Sequence, residues 1–300
     1  MKLPGNHQSS IVNRQSLNRV LVYGKMVKFS HTIFALPFAL SAVVLAHRIR
    51  AVTFADVFWI LIAMVGARSA AMGFNRVADA GIDAKNPRTA NREIPAGELS
   101  LKYAIVFVIL FSGLFIFASA MLGRLCFYFS FPVLGILFFY SYTKRFTWLA
   151  HIYLGFAISL APMGAWVAIA RTFSWPIVLL SLALMTYIAG FDILYACQDT
   201  EFDKKEGLFS IPVKFGVKRA LFIASFIHLL SFCSFFMIHF AFEMNIIYMV
   251  TVFIIGCLLI TEHWLVKPDD LSNINIAFFH VNSLISLVLF VGVLADELLM

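Results

Sequence analysis

Long apolar runs separated by short polar connections dominate the chain. A helix needs about 20 mainly apolar residues to cross the hydrocarbon layer of a bilayer. Runs of roughly that length lie at 29–47, 54–75, 103–122, 125–142, 149–170, 176–197, 220–241, 246–265 and 274–295. The connections after runs 1, 3, 5 and 7 are short and plain, whereas those after runs 2 and 6 are longer and rich in polar residues. This pattern predicts an all-α, multi-pass membrane protein with about nine transmembrane helices. A single domain is expected over 1–300, with 1–28 as a basic N-terminal segment.

Composition agrees with that reading. Hydrophobic residues make up 61% of the chain and charged ones 13%, against about 45–50% and about 25% in soluble domains. So little charge cannot cover a soluble surface. The net charge of +7 does not imply nucleic-acid binding, because the cations lie in short loops between apolar runs. There they report orientation instead. Lys2, Arg14, Arg19, Lys25 and Lys28 precede run 1, and Arg76, Lys85, Arg88, Arg92 and Lys102 follow run 2. Lys144 and Arg145 follow run 4, and Lys204, Lys205, Lys214, Lys218 and Arg219 follow run 6. The other side holds only Arg48, Arg50, Arg124 and Arg171. The N-terminus and both long loops are therefore expected in the cytoplasm, most simply at a bacterial inner membrane. Cys126, Cys197, Cys233 and Cys257 form no C-x-x-C pair and read as small apolar packing residues.

The candidate chemistry sits in the two long connections. In F-N-R-V-A-D-A-G-I-D, Asn75, Asp79 and Asp83 recur every four residues, which stacks three oxygen-bearing side chains on one helix face. In D-I-L-Y-A-C-Q-D-T-E-F-D, Asp199 and Asp203 repeat that spacing. Asp192 lies seven residues earlier, on nearly the same face and deeper. Two facing carboxylate columns resist ionising together, and a divalent cation removes that penalty. Mg²⁺ suits oxygen ligands and commonly joins one or two carboxylates to substrate phosphates. The spacing thus points to a magnesium–diphosphate site at the membrane edge. Arg88, Arg92 and Lys144, and Lys214 more weakly, are candidate phosphate cations. Tyr140 stands four residues before Lys144. Arg68 lies within run 2, on the face of Asn75 but about 10 Å deeper. It is expected either to pair with Asp192 or to hold a substrate carboxylate. Lys28 and His31, at the entry to run 1, are candidate acceptor-pocket residues.

With N-R-V-A-D-A-G-I-D-A-K-N-P-R-T-A-N-R-E-I-P-A-G, the approach R-S-A-A-M-G-F-N, Y-S-Y-T-K and D-I-L-Y-A-C-Q-D-T-E-F-D, the chain resembles the UbiA-type membrane prenyltransferases. That group includes the 4-hydroxybenzoate polyprenyltransferases of quinone biosynthesis. The resemblance covers nearly the whole chain. It implies a helical bundle around a central cavity, which moves a polyprenyl group from its diphosphate to an aromatic acid. Asn75, Asp79, Asp83, Asp199 and Asp203 would hold Mg²⁺ and diphosphate, Arg88, Arg92 and Lys144 would steady the phosphates, and Tyr140 would lie near the reacting centre. Asp192 is a candidate base. Polyprenyl diphosphate, the acceptor and the bilayer are the expected partners, with no obligate protein partner.

The resemblance implies 4-hydroxybenzoate as the acceptor. The stretch M-V-K-F-S-H-T-I-F-A-L-P-F is similar to relatives of the alternative menaquinone route, for which a dihydroxynaphthoate would serve. A transporter with an acidic ion path is the reading of another class. It calls for acids near the bilayer midplane, whereas here all but Asp192 lie at helix ends.

Overall fold

The computed structural model describes residues 22–27 and 29–299, with side chains from 22–27 and 32–299. The described residues are nearly all helical and contain no strand beyond one isolated bridge, Lys267 to Asp270. The principal helices are α1 (Leu36–Ala46), α2 (Phe54–Asp83), α3 (Leu101–Leu122), α4 (Arg124–Thr143), α5 (Ala150–Ala170) and α6 (Trp175–Ala196). Two short ones, α7 (Thr200–Lys205) and α8 (Ile211–Phe215), precede α9 (Val217–Ala241), α10 (Ile246–Leu265) and α11 (Asn282–Leu298).

Eight helices among the described residues are long and apolar enough to cross a membrane. This is close to the expected nine. The difference lies in the first run, which forms a 3-10 turn, Phe29–Phe34, followed by α1. The apolar helix Thr32–Ala46 rises too little to span about 30 Å of hydrocarbon. Pro37 at the start of α1 explains the break, since proline suits a first helical turn and not an interior. The second run departs in the opposite direction. Its apolar character fades near residue 75, but α2 continues to Asp83. The whole Asn75–Asp79–Asp83 column therefore stands on one unbroken helix.

Close backbone approach holds the bundle together. A Cβ on Gly155 would lie 2.1 Å from the Met185 carbonyl, and one on Gly66 2.8 Å from the Phe115 nitrogen. Glycine at these positions lets α5 meet α6 and α2 meet α3, as small residues do between membrane helices. The core along α1, α6, α9 and α10 is filled by Phe38, Tyr187, Phe235 and Tyr248. Large apolar side chains such as Phe222, Phe253 and Trp264 face outward, as lipid contact requires.

The two long connections meet at one end. Lys85, just past α2, pairs with Glu206, just past α7, at 2.7 Å. Phe209 donates its backbone N–H to the Lys144 carbonyl at 2.7 Å, tying the second connection to the end of α4. Each connection turns through a glycine at positive φ, Gly97 (+75°) and Gly216 (+77°), a conformation that other residues adopt only with strain. These contacts gather the ends of α2, α4 and α6 around a single polar cavity.

Candidate active site

Asn75 Nδ2 donates to Asp79 Oδ2 at 2.7 Å and to Ser141 Oγ at 3.4 Å. The i, i+4 spacing on α2 is thus a real contact, anchored to α4. Asp83, one turn on, is buried (5% exposed), and both its oxygens accept from Arg92 Nη1 at 2.7 Å. Across the cavity, Asp199 accepts from Arg88 Nε at 2.9 Å and Asn86 Nδ2 at 3.3 Å, and Arg88 Nη2 takes its second oxygen. Burial opposes the Arg88 charge, but this two-point bond to Asp199 outweighs it and raises the guanidinium above its usual pKa. Arg88 also donates to the Tyr195 hydroxyl at 3.1 Å.

The remaining acids are held differently. Arg145 Nη2 reaches Asp79 at 3.1 Å and the Ala78 carbonyl at 2.7 Å. Lys144 stands 3.9 Å from Asp203 Oδ2, which is buried without a hydrogen bond. Asp192 pairs with His151, Nδ1 to Oδ2 at 2.6 Å. A 3-10 turn, Cys197–Asp199, separates α6 from α7. Asp192 and the pair Asp199 and Asp203 are therefore not on one continuous α-helix, yet all three line the same cavity.

That polar cavity encloses about 170 Å³. Five carboxylates (Asp79, Asp83, Asp192, Asp199, Asp203) and four cations (Arg88, Arg92, Lys144, Arg145) line it. A second cavity, of about 490 Å³, runs between α2, α4 and α5 with an almost wholly apolar wall. Asn75 and Tyr140 line both cavities. The layout matches an amphiphile, with an anionic head among the cations and an apolar tail toward lipid.

The expected site residues fall into three groups. Asn75, Asp79, Asp83, Arg88, Arg92, Tyr140, Lys144, Asp192, Asp199 and Asp203 come together at the polar cavity. Arg68 lines the apolar cavity, and Asp192 pairs with His151; of the two roles expected for Arg68, the pair with Asp192 is not seen among the described residues. Lys214 stands apart from the cavity. Its ammonium lies 4.0 Å from the centre of the Trp148 ring, a cation–π contact. Lys28 lies outside the described residues, as does the side chain of His31.

Asn86, Arg145, His151 and Tyr195 were not singled out from the sequence. Arg145 adjoins Lys144, and Asn86 sits in K-N-P-R between the first acid column and Arg88, so proximity could have flagged both. His151 lies 41 positions from Asp192, and no spacing rule links them. Arg76, read as a loop cation, is a buried residue of α2 (2% exposed).

The acids and amide here form an all-oxygen donor set. Among the described residues, no three Asp, Glu, His or Cys side chains converge closely enough to hold a metal unaided. Such a set suits Mg²⁺, which keeps several waters and completes its shell with substrate phosphates. Asp203 Oδ2, buried without a hydrogen bond, would be free to serve as such a ligand.

Residues 35–284 match the UbiA prenyltransferase family. The 4-hydroxybenzoate octaprenyltransferase of Saccharophagus degradans is 28% identical over 239 residues, 80% of this chain and 79% of that one. The protein of the same name from Alcanivorax borkumensis is 35% identical over 52% of this chain and 54% of its own. The apo structure of a UbiA homolog from Aeropyrum pernix K1 superposes with a TM-score of 0.81 at 30% identity, covering 89% of this chain and 98% of that one. A UbiA homolog from Archaeoglobus fulgidus bound to GPP and Mg²⁺ shares the fold, with a TM-score of 0.68 at 20% identity over 91% of this chain and 99% of that one. With two acid columns facing each other beneath an apolar channel, and with this match along most of its length, the chain belongs to the UbiA prenyltransferase family and is a multi-pass membrane enzyme.

Proposed function

We propose that this enzyme transfers a polyprenyl group from polyprenyl diphosphate to 4-hydroxybenzoate in quinone biosynthesis, with Mg²⁺ as cofactor and the polar cavity facing the cytoplasm. The observation that carries the reading is that a charged cavity and an apolar one share Asn75 and Tyr140 in their walls. A diphosphate head fits the first and an isoprenoid tail the second. The bond to be broken then lies between them.

Asn75, Asp79, Asp83, Asp199 and Asp203 would hold Mg²⁺. When bound, the metal neutralises the diphosphate and stabilises it as a leaving group. Arg88 and Arg92 supply planar donors for phosphate oxygens, and Lys144 and Arg145 add positive charge on the α4 side. A bound diphosphate would compete with the carboxylates for these cations, leaving the carboxylates to hold the metal. The apolar wall excludes water and protects the allylic cation from hydrolysis. Arg68, the one charged residue among the described residues lining the apolar cavity, would bind the acceptor carboxylate. Two relatives bear the name 4-hydroxybenzoate octaprenyltransferase, and one structural neighbour was solved with GPP and Mg²⁺. Both support the reading.

A specific feature favours a second acceptor. The stretch M-V-K-F-S-H-T-I-F-A-L-P-F leading into the first helix carries no arginine and resembles relatives of the alternative menaquinone route. A dihydroxynaphthoate is the corresponding alternative. The test is a transfer assay in membranes with a polyprenyl diphosphate and Mg²⁺, with each acceptor offered separately. Prenylated 4-hydroxybenzoate, lost in Asp79→Ala and Asp199→Ala, is the expected result. Product from the naphthoate alone would move the assignment to menaquinone biosynthesis. No product from either would overturn the aromatic reading.

A further inference from the structure

Asp192, half-buried in the wall of the polar cavity, forms a dyad with His151. His151, in the first turn of α5, is wholly buried. Its Nδ1 is 2.6 Å from Asp192 Oδ2, and its Nε2 is buried with no hydrogen-bond partner. An ionised carboxylate has no hydrogen to give, so Nδ1 carries the proton and Nε2 is a bare lone pair. That tautomer also avoids a buried orphan N–H, the rarer kind of unsatisfied group.

Asp192 differs from the other acids around it. Asp79, Asp83, Asp199 and Asp203 each face an arginine or lysine. Asp192 is held by an imidazole. It shares its cavity with Tyr140 and Asn75, which mark the junction with the apolar cavity. Aromatic substitution needs a proton acceptor near that junction. The new bond joins the allylic carbon to a ring carbon of the acceptor. The allylic C–O bond breaks, and its electron pair leaves with the diphosphate. The ring C–H bond then breaks, its pair restores the aromatic system, and its proton goes to a base.

We propose that His151 is a positioning residue for this proton transfer: its Nδ1–H fixes Asp192 Oδ2 and leaves the ionised carboxylate's other oxygen to take the ring proton. The inference rests on the aromatic-acceptor reading and deepens it. Asp192 is the group that receives the proton, and His151 acts through it.

The test uses full-length enzyme in membranes and an acceptor deuterated at the ring carbon beside the hydroxyl. In His151→Gln the amide nitrogen stands near the place of Nε2 and cannot bond Asp192. In His151→Asn it stands near the place of Nδ1. His151→Gln should lower kcat by about tenfold or more, in line with lost acid–base alignment. It should leave KM for the prenyl diphosphate unchanged and raise the deuterium isotope effect above that of the wild type. His151→Asn should recover most of kcat and return the isotope effect toward the wild-type value. Equal losses in both variants, or a wild-type kcat and isotope effect in His151→Gln, would overturn the inference alone. So would loss of prenyl-diphosphate binding in both, which would mark a structural role. A folded wild type that binds prenyl diphosphate but modifies no aromatic acceptor would remove the aromatic reading and this inference together.

Discussion

The two ends of the bundle both carry acid–base pairs, but they are built differently. At the end away from the polar cavity, Asp56 and Asp296 also bind backbone, while Glu297 pairs with Arg48. Asp56 closes a capping box with Thr53 at the start of α2 and binds Arg50 through both oxygens. Asp296, fully buried, accepts the backbone N–H groups of Asn245 and Tyr248 and so caps α10. Their backbone partners are fixed and belong to the groups that every helix start leaves open. At the polar cavity, Asp83, Asp199 and Asp203 take their cations from Arg92, Arg88 and Lys144, long side chains on the connections. An anion can draw such cations away, whereas it cannot draw away a helix cap. Ion pairing alone therefore does not distinguish a structural end from a functional one. The nature of the partner does.

The sharpest way to break that contrast is Asp199→Asn. It should lower prenyl transfer by about 10²–10³-fold, the scale of losing a preorganised electrostatic contact in a reacting site, while the protein still folds and inserts. Wild-type turnover in this variant would remove the acid columns from the chemistry. Arg88→Lys should come next. It keeps the charge and loses the planar two-point contact, so the KM for prenyl diphosphate should rise by roughly tenfold, about 1.4 kcal/mol. An unchanged KM would mean that Arg88 serves Asp199 alone. Thr53→Ala probes the other end and should cost about 0.5–2 kcal/mol of stability through the lost cap. A thermal-unfolding scan should register that loss, with specific activity kept at the wild-type level. A fall in activity without a fall in stability would erase the distinction between the ends. The smallest effect is expected for Lys214→Gln. Its ammonium rests on Trp148, so KM for prenyl diphosphate should stay unchanged, and a clear rise would restore the phosphate role read from the sequence.

Most of the site was legible because helical spacing is a local rule. Asn75, Asp79 and Asp83 repeat every fourth residue, and one helix suffices to bring them together. That the two acid motifs face each other followed from loop charge, since both long connections carry the same excess of Lys and Arg. What spacing could not show was contact between distant segments. His151 reads as a lone histidine opening an apolar run, and only the packing of α5 on α6 gives it Asp192. Lys214 carries the same charge as Lys144, but its neighbour Trp148 is visible only in three dimensions. The apolar run at 29–47 predicted a span because hydropathy does not register the 3-10 turn before Pro37. Arg76 was assigned to a loop for the opposite reason. Polar residues ended the apolar run, while the backbone stayed helical to Asp83.

The most direct measurement is calorimetric binding of farnesyl diphosphate to the purified, lipid-reconstituted protein, with and without Mg²⁺, in the wild type, Asp199→Asn and Thr53→Ala. Mg²⁺-dependent binding is expected in the wild type and Thr53→Ala, with its loss in Asp199→Asn. Equal binding without Mg²⁺, or undiminished binding in Asp199→Asn, would contradict that expectation.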